Sequence, residues 1–328
     1  MRRHMRESNV ESEVTGGDGR EPGSGAEASD AARPDDASAR ARPSGPRATG
    51  SGPRPKGLGA RPQPGKGLAA RGGPGAKPEP SPEECARLAE AEQVADGEDE
   101  PVPDLADREF PDEEQILAAL RRAFAPEAVL PGVLERYAKH AVLVLEGTRK
   151  LNLTSIFDAD EIAVKHYLDS WRATRLLPLM GRKVVDLGSG AGYPGMPTAL
   201  CEPNCNVTLL ETRKKKADFI QGTIEAMGVR NAQAVWARGE DWLARNKVDV
   251  VFIRALSSVR ENIRLLRKVR HSFTDLVMFK GPSWSREMRA AEREAERLGF
   301  FLDTVFEHEL PNEMGQRAIL VYRSPGAR

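Results

Sequence analysis

The fold is decided by the stretch Lys183-Val184-Val185-Asp186-Leu187-Gly188-Ser189-Gly190-Ala191-Gly192-Tyr193-Pro194-Gly195. Its first half is apolar and rich in valine, which is typical of a buried strand. An aspartate and then a run of spaced glycines follow. Glycines let the backbone approach a ligand closely, and the first amides of a helix can donate hydrogen bonds to it. The stretch therefore predicts a nucleotide-binding strand, turn and helix.

The glycine spacing alone leaves three interpretations open. Gly190, Gly192 and Gly195 fit the dinucleotide pattern G-x-G-x-x-G. That register is disfavoured, because the turn begins at Gly188 and Pro194 lies where the helix should already be running. An acid followed by G-x-G-x-G resembles motif I of class I methyltransferases, which bind S-adenosylmethionine. A glycine-rich turn without any ligand is disfavoured by the strand in front of it.

Downstream of Gly181 the sequence alternates between strand and helix patterns, as parallel α/β proteins do. Five strands are predicted at 183–187, 207–210, 232–236, 248–253 and 276–279. A closing pair is predicted at 301–307 and 318–322. We therefore predict an α/β fold class. Five strands and a closing pair fit the Rossmann-like fold of class I methyltransferases, which has a seven-stranded, mostly parallel sheet with helices on both faces.

The residues before the sheet divide into a tail and a helical segment. No Val, Ile, Leu, Met or aromatic residue lies between Val14 and Leu58, so this stretch cannot bury enough apolar surface to fold. We predict a disordered low-complexity tail over residues 1–110, basic at first and then acidic. Its basic part could attract phosphate non-specifically, but a solvated linker without a specific role is equally compatible.

Three helices are predicted in the segment 111–180. The first begins at a capping box formed by Asp112 and Gln115, and the others lie near 132–149 and 160–176. The catalytic domain would then span 181–323, and a short C-terminal tail would cover 324–328.

Composition narrows the class of protein further. The 328 residues carry no formal net charge, and the three cysteines show no framework spacing. From this cysteine pattern we predict a reducing compartment and no metal site. No apolar run approaches the roughly 20 residues of a membrane helix, and the basic start at residues 1–5 lacks the apolar segment that a secretory signal would have behind it. These features predict a cytoplasmic protein without a membrane contact, and we expect a monomer.

Candidate ligand-binding residues follow three of the predicted strands. Glu211 ends the second strand, about twenty residues after the glycines, where an acid accepts hydrogen bonds from ribose hydroxyls. A surface acid beside Arg213 is the alternative. Gly239 and Glu240 follow the third strand, at the sheet edge where an adenine would lie. An ordinary helix start is equally compatible there. Arg254 closes the fourth strand and either pairs with an acid or faces the ligand.

No catalytic acid or base is assigned. Lys165, His166 and Asp169 lie within one helical turn, but a structural role is favoured over acid–base chemistry. Lys280 ends the fifth strand and, like Arg254, either pairs with an acid or faces the ligand. Lys165, His166 and Lys280 therefore stand as positioning candidates. Basic residues at 213–216 and along 260–270 predict a phosphate-binding face for RNA.

Several motifs together resemble one family. They are Leu151-Asn152-Leu153-Thr154, His166-x-x-Asp169-Ser170, the run from Asp186 to Pro197, Arg254-Ala255 and Lys280-Gly281. In this order they resemble the RsmG (GidB) family of 16S rRNA guanine-N7 methyltransferases, over about residues 112–323. The Pro-Gly-x-Pro extension after the glycines is the most specific of them. The chain departs from the pattern at 270–274, where a Pro-Gly-Gly turn is usual, and in its long tail.

The resemblance implies S-adenosylmethionine contacts from Gly188, Tyr193, Gly239, Glu240 and Arg254. The glycine pattern and the ribose argument add Gly190 and Glu211. The family resemblance also implies a substrate, one guanine in the decoding-region loop of 16S rRNA in the small ribosomal subunit. Guanine N7 carries a lone pair and no proton, so catalysis would rest on positioning rather than on a base.

Three alternatives stay open. The chain could be a class I methyltransferase acting on another RNA or on a small molecule. It could be an NAD-dependent oxidoreductase, which the glycine register disfavours. It could also be a non-catalytic RNA-binding protein with the same fold.

Overall fold

The computed structural model describes residues 3–6, 104–105 and 107–325. The predicted low-complexity tail lies almost wholly outside these residues, as do the last three positions of the chain. All the described residues belong to one compact unit.

The strands of the described part form one sheet. They are β1 (Arg3–Arg6), β2 (Lys183–Leu187), β3 (Asn206–Glu211), β4 (Ala232–Trp236), β5 (Val250–Arg254), β6 (Asp275–Lys280), β7 (Phe301–Glu309) and β8 (Gln316–Arg323). Their order across the sheet is β1-β7-β8-β6-β5-β2-β3-β4. β8 pairs antiparallel with both β6 and β7, and the other pairs are parallel. The seven predicted strands are confirmed as β2–β8 in a mostly parallel sheet, and β1 adds an eighth strand at its edge.

Helices connect these strands and precede the sheet. The α-helices are α1 (Glu113–Ala123), α2 (Val133–Thr148), α3 (Ala159–Glu161), α4 (Asp169–Thr174), α5 (Gly195–Cys201), α6 (Lys214–Ala226), α7 (Gly239–Leu243), α8 (Val259–Leu266) and α9 (Trp284–Arg297). A π-helix (Ile162–Leu168) joins α3 to α4, and a 3₁₀ turn (Arg270–Ser272) precedes β6. No helix in residues 107–325 or in the shorter described pieces is long and apolar enough to cross a membrane.

Strand β1 is the one strand that sequence reasoning placed inside the tail. Arg3 to Arg6 pair in parallel register with Thr304 to Glu307 at the free edge of β7. Edge pairing uses backbone groups, so a short stretch without a strand-like side-chain pattern can add itself to a sheet.

The sheet is covered on both faces, and side chains alternate between them. Val184 belongs to the hydrophobic cluster shared with α1, α2 and the π-helix, whereas Val185 belongs to the cluster shared with α8 and α9. This alternation follows from the two-residue period of a strand. Asp186 therefore points to the same face as Val184, toward the N-terminal helices.

The predicted helical segment is present, with one irregularity. The capping box at the start of α1 forms as predicted, because Asp112 accepts from the backbone amide of Gln115 and the Gln115 side chain accepts in return. The helix predicted near 160–176 contains the π-helix, where the amide of Asp169 donates to the carbonyl of Val164. A π-turn leaves nearby carbonyls without their usual helical donor.

The arrangement of the strands fixes where a ligand would lie. From β2 the chain moves outward through β3 and β4, and then returns to the other side of β2 to form β5. The loops after β2 and β5 consequently leave the sheet in opposite directions. The crevice between them, at the carboxyl ends of the strands, is where open α/β sheets bind ligands.

Candidate functional site

The turn after β2 is tied to the end of β3 through its backbone. We call residues 188–195 the glycine turn. The amides of Gly188 and Ser189 both donate to the carbonyl oxygen of Leu210, at 2.9 and 3.1 Å. Gly190 has a φ of +58°, and a methyl group built on it would meet no heavy atom within 4 Å. The turn therefore opens to free space at Gly190, as a ligand cradle requires.

A buried carboxyl group holds the far end of the glycine turn. Oδ2 of Asp186 accepts from the amide of Gly195 at 2.9 Å, and Asp186 is almost fully buried. A methyl group on Gly195 would lie 2.8 Å from that same oxygen. Burial raises the pKa of Asp186 to about 7. The glycine turn thus packs directly against Asp186, which forms no ion pair with any residue that the structure describes.

The predicted pair of Gly190 and Glu211 comes together in the structure. Oε2 of Glu211 accepts from the amide of Gly190 at 2.9 Å. Oε1 accepts from the amides of Thr212 and Arg213 at 2.8 and 3.0 Å. Each carboxylate oxygen has about two acceptor sites, so Oε2 retains acceptor capacity for a ribose hydroxyl beside the glycine turn.

Gly239 and Glu240 begin α7 at the same edge of the sheet. A methyl group on Gly239 would lie 2.5 Å from Cδ1 of Leu187, which precedes the glycine turn. The backbone of α7 is therefore pressed against the end of β2. Glu240 is partly buried, and its side chain makes no hydrogen bond to any residue that the structure describes. Trp236, which sequence reasoning missed, donates its indole N–H to the carbonyl of Thr212 at 2.9 Å.

Tyr193 lies in a buried aromatic cluster with three other rings. It stacks on His166 with ring centres 4.3 Å apart and an angle of 11°. Its hydroxyl donates to that of Tyr167 at 3.0 Å, and the Tyr167 hydroxyl lies 2.8 Å from Nδ1 of His140. Sequence reasoning missed His140 and Tyr167, because each occupies an ordinary inward position on a helix. The cluster fixes the orientation of the Tyr193 ring.

His166 is neutral in this environment. Burial, followed by the nearby charge of Arg254, lowers the pKa of His166 well below its usual value. Nδ1 faces the guanidinium of Arg254 at 3.5 Å, so it is an acceptor, and Nε2 then carries the proton toward Oγ1 of Thr154 at 3.1 Å. The expectation of a structural rather than an acid–base histidine fits this geometry.

Asp169 contacts His308 and Arg254. Its Oδ1 lies 3.4 Å from Nε2 of His308, and its Oδ2 lies 3.9 Å from the guanidinium of Arg254. Although burial opposes it, the contact with His308 and the charge of Arg254 hold the pKa of Asp169 below its usual value. The carboxylate is therefore charged and engaged in structural contacts.

Arg254 closes β5 as predicted and reaches across to the π-helix. Its guanidinium donates to the carbonyls of Lys165 and His166 and to Oγ of Ser170. Those carbonyls lie where the π-turn disturbs the helical bonding. Most of the donors of Arg254 are thus used within the protein, and a contact between Arg254 and a cofactor stays a prediction.

The two lysines proposed as positioning candidates are already engaged. Nζ of Lys165 donates to Oε1 of Glu161 at 2.5 Å, one turn earlier in the helix. Nζ of Lys280 donates to the carbonyl of Ser257 at 2.5 Å and pairs with Oε2 of Glu287 at 3.0 Å. Neither ammonium group points freely into the crevice.

The predicted phosphate-binding face on α8 is partly occupied by an acid. Arg260 and Arg264 both pair with Glu294 of α9, at 3.5 and 2.8 Å. Sequence reasoning did not anticipate this, since Glu294 lies thirty residues further along the chain. These two guanidinium groups hold α8 to α9, and their availability to RNA is correspondingly reduced.

The residues at the crevice leave room and an acceptor for a nucleoside. The free space over Gly190 and the remaining acceptor capacity of Glu211 lie side by side. Gly239 and Glu240 stand at the same edge, next to β2. No group of three His, Cys, Asp or Glu residues able to hold a metal ion occurs in the part of the chain that the structure describes.

Comparison with known proteins extends these observations. The sequence model of the GidB family, described as rRNA small subunit methyltransferase G, matches residues 133–314. Ribosomal RNA small subunit methyltransferase G of Solibacter usitatus is 35% identical over 194 residues, which cover 58% of this chain and 90% of that protein. Its counterpart in Carboxydothermus hydrogenoformans is 32% identical over 196 residues, covering 58% and 82%. Among solved structures, fibrillarin of Aeropyrum pernix with bound S-adenosyl-L-methionine aligns with a TM-score of 0.38 and 12% identity, over 47% of this chain and 73% of that protein.

Proposed function

The chain belongs to the GidB family of rRNA small subunit methyltransferases, and from that membership we propose that it methylates N7 of a guanine in 16S rRNA, with S-adenosylmethionine as the methyl donor. One observation carries the proposal from this chain's own residues. It is the hydrogen bond between the amide of Gly190 and the carboxylate of Glu211, which supports the proposal because an acid beside an open turn suits a nucleoside.

The cofactor would be held from several sides of the crevice. Glu211 accepts hydrogen bonds from the ribose, and the open backbone at Gly190, next to Gly188, leaves room for the methionine part. Gly239 and Glu240 stand where the adenine would lie. Bound in this way, the cofactor supplies an electrophilic methyl group carried on a sulfonium.

Methylation of guanine N7 needs no general acid or base from the protein. Guanine N7 is already unprotonated, so the protein needs to orient it rather than to remove a proton. Burial raises the pKa of Tyr193 above its usual value and lowers that of His166. Both side chains are therefore neutral at physiological pH, and they form a rigid wall of the site rather than a proton relay.

The substrate proposal is tested with labelled cofactor. The full chain is incubated with methyl-labelled S-adenosylmethionine and either small ribosomal subunits or protein-free 16S rRNA from cells that lack this modification. The RNA is then digested, and the labelled nucleoside is identified by mass spectrometry. We expect 7-methylguanosine at one position. A different labelled nucleoside would show that the protein methylates another position or atom in RNA. The absence of label on either RNA would reject the proposal.

The cofactor site is tested by a substitution of nearly equal shape. Glu211→Gln keeps an acceptor for Gly190 but loses the charge and one ribose acceptor, so the Kd for S-adenosylmethionine should rise about tenfold. Isothermal calorimetry measures this. Glu225→Gln, on the exposed face of α6, is the matched control and should bind as the wild type does. An unchanged Kd for Glu211→Gln would remove Glu211 from the site.

A further inference from the structure

The loop after β5 has an unusual backbone conformation. We call residues 255–258 the β5 loop. Ala255 has a φ of +53°, in the left-handed region that residues other than glycine seldom occupy. Such a conformation persists only where the surroundings hold it, and it is concentrated at functional sites. The residue that this bend presents to the crevice is Leu256.

Side chains from the next helix and strand hold the β5 loop in place. Asn262, which is fully buried, donates from Nδ2 to the carbonyl of Ser257 at 3.1 Å and accepts from the Ser257 hydroxyl at 2.6 Å. Nζ of Lys280 donates to the same carbonyl. The loop is thus fixed by groups whose bonds would be lost if it moved.

A second layer fixes Lys280 and the end of the loop. Oε2 of Glu287 pairs with Lys280 and also accepts from the amide of Val259 at 3.1 Å. Ser258 forms a capping box with Glu261 at the start of α8. Lys280, one of the residues predicted to position the reaction, therefore acts on this loop rather than on a ligand.

Leu256 of the β5 loop lies above the glycine turn and is exposed. Leu256 is 43% exposed, although a leucine in a well-supported loop has no structural need to face water. Its Cδ1 lies 3.2 Å from the position of a methyl group built on Gly188. The side chain thus covers the first glycine from the β5 side of the crevice, and the rest of its surface faces the solvent.

We propose that Leu256 is a positioning residue that packs against the face of the target guanine and holds its N7 in line with the methyl group. The inference rests on the proposed function. Gly190 and Glu211 occupy the β2 and β3 side of the crevice, so the base must approach from the β5 side, where Leu256 is exposed. A base taken out of its stack loses contacts, and an apolar side chain restores part of them without reading base edges.

The inference is tested with the full chain and small ribosomal subunits under saturating S-adenosylmethionine. Leu256→Ala should lower kcat/KM for the subunit about tenfold, because the apolar contact with the extruded base is lost. The Kd for S-adenosylmethionine should stay within about twofold, and the melting temperature should not fall. Leu256→Met, which conserves volume, should restore most of the activity.

Leu130→Ala is the matched control, because Leu130 is an exposed leucine that does not contact the glycine turn. It should leave kcat/KM unchanged. An unchanged kcat/KM for Leu256→Ala would overturn the inference, and so would a loss explained by weaker S-adenosylmethionine binding. An active wild type in either case leaves the proposed function intact. An inactive wild type would instead overturn the proposed function and this inference with it.

Discussion

The glycine turn and the β5 loop lie side by side in the crevice, but they are shaped by different means. The glycine turn takes its form from glycines at positive φ and from backbone bonds to the neighbouring strand β3. The β5 loop contains one positive φ, at Ala255, and depends on side chains from Asn262, Lys280 and Glu287. The first loop depends mainly on its own glycines, with the carboxyl groups of Asp186 and Glu211 accepting from its amides. The second loop has no glycine and depends on side chains that the fold brings to it.

This difference predicts opposite responses to pH. Burial raises the pKa of Asp186, under the glycine turn, to about 7, whereas its value in the unfolded chain is about 3.9. Such a group stabilises the fold fully below about pH 4, and its contribution is lost as pH rises through 7. Asp186→Asn removes the titration but keeps an acceptor for Gly195. The free energy of unfolding of the wild type, relative to this variant, should fall on the order of 4 kcal/mol between pH 4 and 7.5.

Glu287, behind the β5 loop, titrates in the opposite sense. Although burial opposes it, the bonds from Ser283 and Lys280 lower the pKa of Glu287 below its usual value. Its contribution is present at neutral pH and is lost as pH falls through the folded pKa. Urea unfolding of Asp186→Asn and Glu287→Gln across pH 3–8 separates the two effects. Parallel pH profiles for both variants would contradict the comparison.

The next largest effect is expected from crowding the glycine turn. Gly195→Ala would place a methyl group 2.8 Å from both Oδ2 of Asp186 and Cδ2 of Leu209, so the helix start or the acid must move. We expect the free energy of unfolding to fall by about 3 kcal/mol, measured by urea titration. Gly222→Ala is the matched control, because it lies within α6 and its methyl group would meet nothing within 4 Å. It should raise stability by up to ~1 kcal/mol. A Gly195→Ala protein as stable as Gly222→Ala would show that the turn tolerates a side chain.

A smaller effect is expected from removing the support of the β5 loop. Lys280→Met removes the cation that pairs with Glu287 and one of the two donors to the Ser257 carbonyl. Stability should fall by about 2 kcal/mol, less than for a fully buried pair because Glu287 is partly solvated. Lys247→Met is the control, because Lys247 is exposed and makes no ion pair with any residue that the structure describes. The double variant Lys280→Met, Glu287→Gln should regain part of the loss. Full additivity of the two changes would show that the pair is not coupled.

The same contrast explains how far the sequence could predict the structure. The glycine turn, β2, β4 and the capping box at Asp112 were predictable, because each depends on residue types within a few positions. Glu211 was predictable because the distance from the glycines to the end of β3 is set by one strand–helix–strand unit. The hydrogen bond from Gly190 to Glu211 brings the two residues together, and ribose binding by Glu211 stays a prediction.

The remaining site residues could not be predicted, because their roles depend on contacts between distant parts of the chain. Nothing local marks Asn262 or Leu256 as part of the crevice. The sequence allowed Arg254 either to pair within the protein or to face the ligand. Only the position of the π-helix shows that its guanidinium donates to the carbonyls of Lys165 and His166. Arg260 and Arg264 suggested an RNA face until the fold brought Glu294 beside them.

The docking of Arg254 onto the π-helix has a consequence for how this protein can be divided. The last residue of a central strand is bound to carbonyls of Lys165 and His166, which belong to the segment before the sheet. A gene fusion or recombination joint placed near residue 180 would separate this arginine from its acceptors. We therefore expect the helices and the sheet to be inherited, expressed and engineered as one piece, and a hybrid joined at that point to require matched halves from the same parent.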